Sequence, residues 1–394
     1  MLLKYFSIFL LFLLCAIQLQ GGYDVGTSYL ILFGIWMLFL IVFNPRNVRS
    51  VLLQRRFLSI YIFLIIYFLT SILYCPPLTG INRCVSFFST ISPIIMYELI
   101  KKESRGIRIA FLIFISLIFI ADFFIAYQYL EITGAEKLRD AEDLGDEFYI
   151  MKFAFNLCYA ISLIIPAFCG LFYELKGRVI LRTLMVAILL GLFIFLLRAQ
   201  FMTAILVALI GVFLEIVYRK GLSLIRSSII VLLVGGASLY LILPFAIQQL
   251  RDNGEYQTVL IRLVEIESVL TGNISQASDF NERSNLTTKS FSTFIENPIL
   301  GVNYKLDPKR HVSEQGIGNH AAWVDFLAKF GFCSIFIFYF LFVSSKRQKK
   351  EIGSPVPMIM FFFLGFFNPL FLFPQMCAAY LLNPLMYGLL KIQK

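Results

Sequence analysis

Long apolar runs separated by short polar breaks follow one another along the chain. The first two runs extend from about Tyr5 to Gln18 and from Ser28 to Phe43, and comparable runs continue to the C-terminal residues. No small-residue cleavage site follows the first run, so it is interpreted as a span and not as a signal peptide. An α-helix needs about 20 residues to cross a hydrocarbon core of roughly 30 Å. The pattern therefore predicts an all-α, polytopic membrane protein with about twelve transmembrane helices.

One long polar interruption, residues 250–322, divides this pattern. Residues 1–249 hold predicted spans one to nine, and residues 323–394 hold spans ten to twelve. We therefore predict a large extracytoplasmic loop between spans nine and ten. The other breaks are short, and the break at residues 198–200 predicts a tight turn between spans seven and eight.

Composition supports this class, and charge gives the spans an orientation. The mean hydropathy is +0.82, and only 15% of the residues are charged, which excludes an ordinary soluble protein. If the N-terminus is cytoplasmic, 21 of the 34 Lys and Arg residues fall in cytoplasmic connections and termini, as the positive-inside rule expects. The net charge of +10 therefore reports topology and does not indicate nucleic-acid binding. Both termini are predicted to be cytoplasmic.

Cysteine and histidine usage does not indicate a metal site. The chain has seven Cys and two His and no C-x-x-C spacing, so no zinc site is predicted. Cys75 and Cys84 flank one predicted outer turn, where either a disulfide or two free thiols would fit, and free thiols are favoured.

The chain has no Walker loop and no glycine-rich phosphate loop, and we predict no nucleotide and no other cofactor.

An acidic segment, residues 140–147, lies in another predicted outer connection. Solvated polar surface is the favoured interpretation of its five carboxylates. The alternatives are a role in admitting a sugar and a divalent-cation site.

Three residues near the predicted outer surface are candidates for chemistry. A reaction there without nucleotide needs a substrate that carries its own leaving group, such as a lipid-linked diphosphate. Arg198 follows span seven and Arg283 lies in the large loop, and a guanidinium suits phosphate oxygens. His320 precedes span ten, where a neutral imidazole can accept a proton from a hydroxyl. The plainer alternatives are an arginine snorkelling to lipid headgroups, a solvated arginine and a histidine that bonds backbone at a helix start.

A short motif surrounds His320. Residues 296–302 read Glu-Asn-Pro-Ile-Leu-Gly-Val, and His320 and Ala321 are followed after nine residues by Gly331 and then by Ser334. The region from Arg283 to Ser334, about 50 residues long, resembles, together with the Arg198 region, the signature region of the O-antigen ligase and O-antigen polymerase superfamily. The family pattern has an amide or hydroxyl residue in place of Ala321, and Gly, Thr or Val in place of Ser334.

The resemblance implies a metal-independent glycosyltransferase, of the hexosyltransferase type, in the bacterial cytoplasmic (inner) membrane. Its donor would be an undecaprenyl-diphosphate-linked glycan, and its other partners would be the lipid bilayer and a protein that regulates chain length. In that family an Arg after span seven and an Arg in the large loop hold the diphosphate, which implies this role for Arg198 and Arg283. The family's His activates the acceptor hydroxyl, which implies this role for His320. The supporting residues would be Asn319, Asp325 and Gly331.

Polymerase and ligase differ in their acceptor. A polymerase extends another lipid-linked repeat unit of O-antigen or capsule, whereas a ligase transfers polymer to the lipid A core. The imperfect ligase-type motif favours the polymerase. A polysaccharide transporter or flippase is the alternative from another class, and it would line a central cavity with charges such as Asp122, Glu215, Asp325, Lys329 and Arg83. A structural partner of an export complex would retain its activity without His320.

Overall fold

Helices account for all the regular structure that the computed structural model contains in the residues it describes. These residues are 2–20, 26–137, 148–175, 177–253, 257–271, 278–307, 310 and 312–391. No strand is present in these ranges. The prediction of an all-α protein is confirmed for them.

The helices are numbered in chain order. The first nine are α1 (Leu2–Gln20), α2 (Gly26–Phe43), α3 (Pro45–Leu52), α4 (Arg55–Tyr74), α5 (Pro77–Ile100), α6 (Arg105–Lys137), α7 (Phe148–Glu174), α8 (Val179–Ala199) and α9 (Met202–Arg219). The others are α10 (Leu224–Asn253), α11 (Gln257–Leu270), α12 (Ser278–Glu296), α13 (Ala322–Phe330), α14 (Ser334–Ile352), α15 (Val356–Leu364), α16 (Phe373–Cys377) and α17 (Asn383–Lys391). A 3-10 turn, Gly331–Cys333, joins α13 to α14, and a π-helical turn, Ala378–Leu382, joins α16 to α17.

Seven helical stretches in the described part of the chain are long and apolar enough to cross a bilayer, or eight if a bent pair is counted as one span. They are Arg55–Tyr74, Arg83–Ile100, Arg105–Ile132, Phe155–Glu174, Val179–Ala199, Met202–Arg219 and Ala322–Ile352, and the bent pair is Ile31–Phe43 with Pro45–Leu52. The protein is therefore a helical membrane protein. The number of twelve spans stays a prediction.

The turn expected between spans seven and eight is present. α8 ends at Ala199, Gln200 adopts a left-handed φ of 56°, and α9 begins at Met202. The large polar segment, in contrast, is not an open loop, because it contains α11 and α12. α12 is polar, and α11 has only 14 residues in which apolar and charged side chains alternate, so neither has the long apolar run that the hydropathy pattern detects.

Ion pairs join several of the basic connections at one end of the bundle. Arg56 of α4 lies 2.6 Å from the Glu98 carboxylate of α5, and Lys101 pairs with Glu351 of α14. We call this the basic end. The opposite end, where α4 and α8 finish and α5 and α9 start, is called the loop end.

The last part of the chain differs from the expected pair of full-length helices. α15 has nine residues, or about 13.5 Å of helix, which is less than half of a hydrocarbon core of roughly 30 Å. Ser354 just before it bonds Glu215 at the basic end, whereas Asn368 bonds Tyr159 in the loop-end half of α7. The chain therefore passes from the basic end to the loop end as a short helix followed by an irregular segment, residues 365–372.

The C-terminal helices return alongside α7. These helices run parallel to α7, because residues further along them bond residues further along α7. Gln375 bonds Asn156, Asn383 bonds Leu163 and Tyr387 bonds Ala167. α7 is the central helix of the bundle: 83% of its span is buried, compared with 17% of the α8 span.

Candidate functional site

The backbone of residues 316–321, which we call the His320 loop, is held by side chains of α12. The Thr293 hydroxyl donates a hydrogen bond to the carbonyl oxygen of Gly316 at 2.6 Å. The N–H of Gly318 donates to the Ser290 hydroxyl oxygen at 2.7 Å. The loop therefore lies directly on α12, although more than twenty residues separate the bonded groups in sequence.

Asp325, in the first turn of α13, holds the same loop from the other side. Its Oδ1 accepts hydrogen bonds from the Ser290 hydroxyl at 2.6 Å and from the Asn319 N–H at 3.2 Å, and its Oδ2 accepts from the Ala321 N–H at 3.1 Å. Asn319 adopts a φ of 58°, a left-handed conformation that asparagine tolerates better than most residues. The backbone on both sides of the partly buried His320 is therefore fixed.

The first backbone N–H groups of α13 donate to the segment that follows α15. The Ala322 N–H lies 3.4 Å from the carbonyl oxygen of Asn368, and the Trp323 N–H lies 3.3 Å from that of Gly365. The Trp323 indole donates to the Phe362 carbonyl at 2.7 Å. Because such groups have no partner inside their own helix, these bonds satisfy the start of α13 and join it to the irregular segment.

The two parts of the sequence motif pack against each other through their backbones. The N–H of Phe332 donates to the carbonyl oxygen of Pro298 at 2.7 Å, and the N–H of Val302 donates to that of Ala328 at 3.0 Å. The Asn-Pro-Ile-Leu-Gly run and the helix after His320 therefore form one structural unit.

Glycine is required at both sides of this contact. Gly301 and Gly331 have φ values of 66° and 57°. A Cβ on Gly301 would lie 2.3 Å from the backbone of Lys329, and a Cβ on Gly331 would lie 2.4 Å from the carbonyl oxygen of Pro298. Ser334, which departs from the family pattern, donates to the Gly331 carbonyl at 2.7 Å and so satisfies a group at the break between α13 and α14.

Arg83 fastens the neighbouring part of the large segment to the start of α5. Its guanidinium donates to the carbonyl oxygens of Asn303 at 2.9 Å, Tyr304 at 3.3 Å and Leu306 at 2.6 Å. The Asn303 amide also bonds the Tyr67 hydroxyl of α4. The sequence offers no local signal for this role of Arg83, because its partners lie about 220 residues away along the chain.

Arg198 lies at the loop end of α8 and is directed toward α6. It pairs with the Glu131 carboxylate and donates to the Tyr127 hydroxyl at 2.6 Å. About half of each charged side chain is exposed, 45% for Arg198 and 51% for Glu131. In the described residues, the partners of Arg198 lie on α6, whereas the His320 loop contacts α12 and α13.

Arg283 lies on α12 and not in an open loop. Its carbonyl oxygen accepts a hydrogen bond from the Thr287 hydroxyl at 2.9 Å, and it precedes Leu286 by about one helical turn. The Leu286 carbonyl oxygen would lie 2.2 Å from a Cβ on Gly318. α12 therefore carries Arg283 close to the point where the His320 loop contacts it.

The described residues contain neither a metal cluster nor a disulfide among the candidates that the sequence offered. Within the described ranges, no group of three or more His, Cys, Asp or Glu side chains is arranged to hold a metal ion. Cys75 and Cys84 are free thiols. His311 and the acidic residues 140–147 lie outside the described residues.

No protein-family model matches this chain, and no curated protein or solved structure is significantly similar to it. The resemblance around His320 therefore depends on the residues quoted above. What the fold adds is that the separate parts of that motif are in contact.

Proposed function

We propose that the protein is a metal-independent glycosyltransferase that polymerises undecaprenyl-diphosphate-linked repeat units into O-antigen or capsular polysaccharide. The reaction would take place at the outer face of the bacterial cytoplasmic membrane. The observation that carries this proposal is the attachment of the backbone around His320 to Asp325 and Ser290 at the start of a membrane helix. A catalytic base must be held within a narrow range of positions, and a rigid backbone with buried support meets that need.

In the proposed reaction, the acceptor hydroxyl oxygen forms a bond to the anomeric carbon of the donor sugar. A neutral His320 imidazole takes the hydroxyl proton as this bond forms. The bond between the anomeric carbon and the lipid diphosphate breaks, and its electron pair leaves with the diphosphate. The proton then passes from His320 to the released phosphate or to solvent.

The leaving diphosphate gains negative charge, which an arginine next to it would stabilise. Arg283 has the better support of the two candidates, because α12 also carries Ser290 and the contact with Gly318. Arg198 is exposed at the loop end, and there a phosphate would compete with Glu131 for its guanidinium.

The transporter alternative has less support. Of the charges it would need, Arg83 donates to backbone carbonyls and Asp325 holds the His320 loop. Glu215 bonds Arg219 at 2.8 Å and Ser354 at the basic end, where Arg219 also reaches Glu174. The three charged groups of Arg83, Asp325 and Glu215 are thus bonded to neighbouring residues in the structure, and these bonds join the ends of helices.

The proposal is tested by gel analysis of surface polysaccharide from cells that lack the protein and are complemented with variants. The variants are His320→Ala, Arg283→Ala and, as the matched control, His311→Ala, which removes the other histidine of the chain. Protein levels are measured in parallel. We expect wild type and His311→Ala to give a full ladder, and the other two variants to give single repeats on the lipid core.

Two results would contradict the proposal. Bare core, with polymer retained on its lipid carrier, would identify a ligase. A full ladder from both His320→Ala and Arg283→Ala would exclude the catalytic assignment and favour a transporter or a structural partner.

A further inference from the structure

A cluster of amide side chains is buried between α7 and the C-terminal segments. Asn156, Asn368 and Gln375 are 5%, 3% and 0% exposed. The Tyr159 hydroxyl donates to Oδ1 of Asn368 at 2.8 Å, and Nε2 of Gln375 donates to Oδ1 of Asn156 at 3.4 Å. We call these four residues the amide cluster.

The amide cluster has unused hydrogen-bonding capacity. In the described residues, Nδ2 of Asn368 and Oε1 of Gln375 are buried and have no hydrogen-bond partner. One is a donor and the other is an acceptor, which is the combination that a hydroxyl group satisfies. Leaving a polar group unpaired in such surroundings is unfavourable, and polar side chains buried inside membrane proteins are commonly functional.

A second observation comes from the backbone. Asn368 lies in the irregular segment between α15 and α16, and this break interrupts a crossing of the bundle. Broken helices at membrane depth occur where backbone is buried in protein or lines a cavity, and in membrane proteins they often form binding sites. The Asn368 N–H still donates to the Leu364 carbonyl at 3.1 Å, so admission of a ligand to these covered atoms requires movement of the irregular residues 369–372 that follow it.

Aromatic rings border the amide cluster. Phe155 lies with its ring centroid 4.6 Å from that of Tyr159, and Phe201 lies 5.6 Å from Phe155. Sugars bind to such surroundings through hydroxyl bonds to amides and through contact of their apolar faces with aromatic rings. The cluster also adjoins the catalytic candidate, because the carbonyl of Asn368 accepts from Ala322, two residues after His320.

We propose that the amide cluster is a carbohydrate-binding subsite in which Asn368 and Gln375 bind hydroxyl groups of the glycan. This inference rests on the proposed function for the identity of the glycan, and it adds the residues that recognise the sugar next to His320. The aromatic rings of Phe155 and Phe201 form the apolar wall of the subsite.

The test measures binding of a defined probe to the purified full-length protein by calorimetric titration. The probe is the repeat-unit oligosaccharide released by mild acid from the lipid-linked glycan pool of the same cells. Gln375→Met removes the amide with little change in volume, and Tyr159→Phe removes one hydroxyl. The matched control is Gln348→Met, because Gln348 is also a buried glutamine with an unpartnered Oε1 but bonds Tyr380 on another part of the bundle.

Loss of one hydrogen bond predicts that Gln375→Met weakens binding about five- to tenfold and Tyr159→Phe about threefold. Gln348→Met is expected to bind as wild type does. Thermal unfolding distinguishes a lost contact from misfolding, and Tyr159→Phe keeps the test decisive if Gln375→Met is unstable.

The chain has two tryptophans, Trp36 and Trp323, so a saturable change of Trp323 fluorescence in a Trp36→Phe protein would locate the probe beside Gly365.

The outcomes separate this inference from the proposed function. If deletion of the protein leaves the polysaccharide ladder intact, the proposed function fails, yet binding that Gln375→Met weakens and Gln348→Met does not still supports the subsite. If deletion abolishes the ladder but all the variants bind the probe equally, the subsite is overturned and the proposed function stands. Absence of saturable binding to an active wild-type protein also overturns the subsite.

Discussion

Ser290 donates a 2.6 Å hydrogen bond to Oδ1 of Asp325 and so joins α12 to α13. Both residues are buried, with exposures of 0% and 3%. The same carboxylate accepts the N–H groups of Asn319 and Ala321, so one side chain holds two helices and the loop that carries His320. Buried networks of this kind are sensitive to the loss of a single partner.

Asp325→Asn is predicted to loosen the His320 loop. The substitution replaces one acceptor oxygen by an NH2 donor, which leaves a backbone N–H without a partner. We expect stability to fall by about 1 to 3 kcal/mol and the polysaccharide ladder to weaken. Ser290→Ala removes the hydroxyl that donates to Asp325 and accepts the Gly318 N–H, so it also leaves a buried N–H without a partner and should cost a similar amount, about 1 to 3 kcal/mol. Thermal unfolding of the solubilised protein and ladder gels are the measurements, and equal melting temperatures for wild type and Asp325→Asn would contradict the prediction.

Gly331→Ala is predicted to disrupt the contact between the two parts of the motif. An alanine there would adopt a left-handed φ and would place its Cβ 2.4 Å from the Pro298 carbonyl oxygen, at a cost of about 2 kcal/mol or more. Gly191→Ala is the control, because Gly191 lies in α8 with no atom within 4 Å of the added Cβ. Size-exclusion chromatography should show loss of the folded peak for Gly331→Ala alone. A normal peak for both variants would mean that the motif can separate without unfolding.

Arg83→Lys is predicted to release the segment that follows the Asn-Pro-Ile-Leu-Gly run. Lysine keeps the charge but cannot reproduce the fork that reaches three carbonyl groups. Trypsin added to spheroplasts should then cleave faster at Lys305 and Arg310. Arg46→Lys, at an exposed position on α3, is the control and should leave the cleavage rate unchanged. Equal rates for wild type and Arg83→Lys would show that Arg83 does not restrain the segment.

The apolar pattern predicted much of the fold because membrane spans are long and uniform in hydropathy. It predicted the turn before Met202 because Arg198 and Gln200 interrupt an apolar run. It did not reveal the break at Gly365, since residues on both sides are equally apolar. At that break the Trp323 ring lies 2.5 Å from where a Cβ on Gly365 would be, and such a contact has no local signature in the sequence.

At the candidate site, the sequence could anticipate only contacts between residues that are close together in the chain. The resemblance implies a supporting role for Asp325, which is five residues from His320, and its carboxylate holds the backbone on both sides of His320. Ser290 and Asn368 were missed, since they approach the site through packing of α12 and of the segment after α15. A serine in a polar helix and an asparagine in an apolar run have no sequence pattern that would predict their contact with the candidate site.

The predicted orientation is tested by fusing alkaline phosphatase, which is active only outside the cytoplasm, to truncated chains. Fusions after Arg310 and after Phe367 should be active, and a fusion after Lys350 should be inactive. The Phe367 fusion tests the orientation most directly. α15 alone is too short to cross the bilayer, but the bonds of Ser354 and Asn368 indicate that the chain passes from the basic end to the loop end. An inactive Phe367 fusion beside an active Arg310 fusion would mean that the irregular segment turns back inside the membrane. The last two predicted crossings would then be a re-entrant pair, and the amide cluster would lie deeper than the outer face at which polymerisation is proposed.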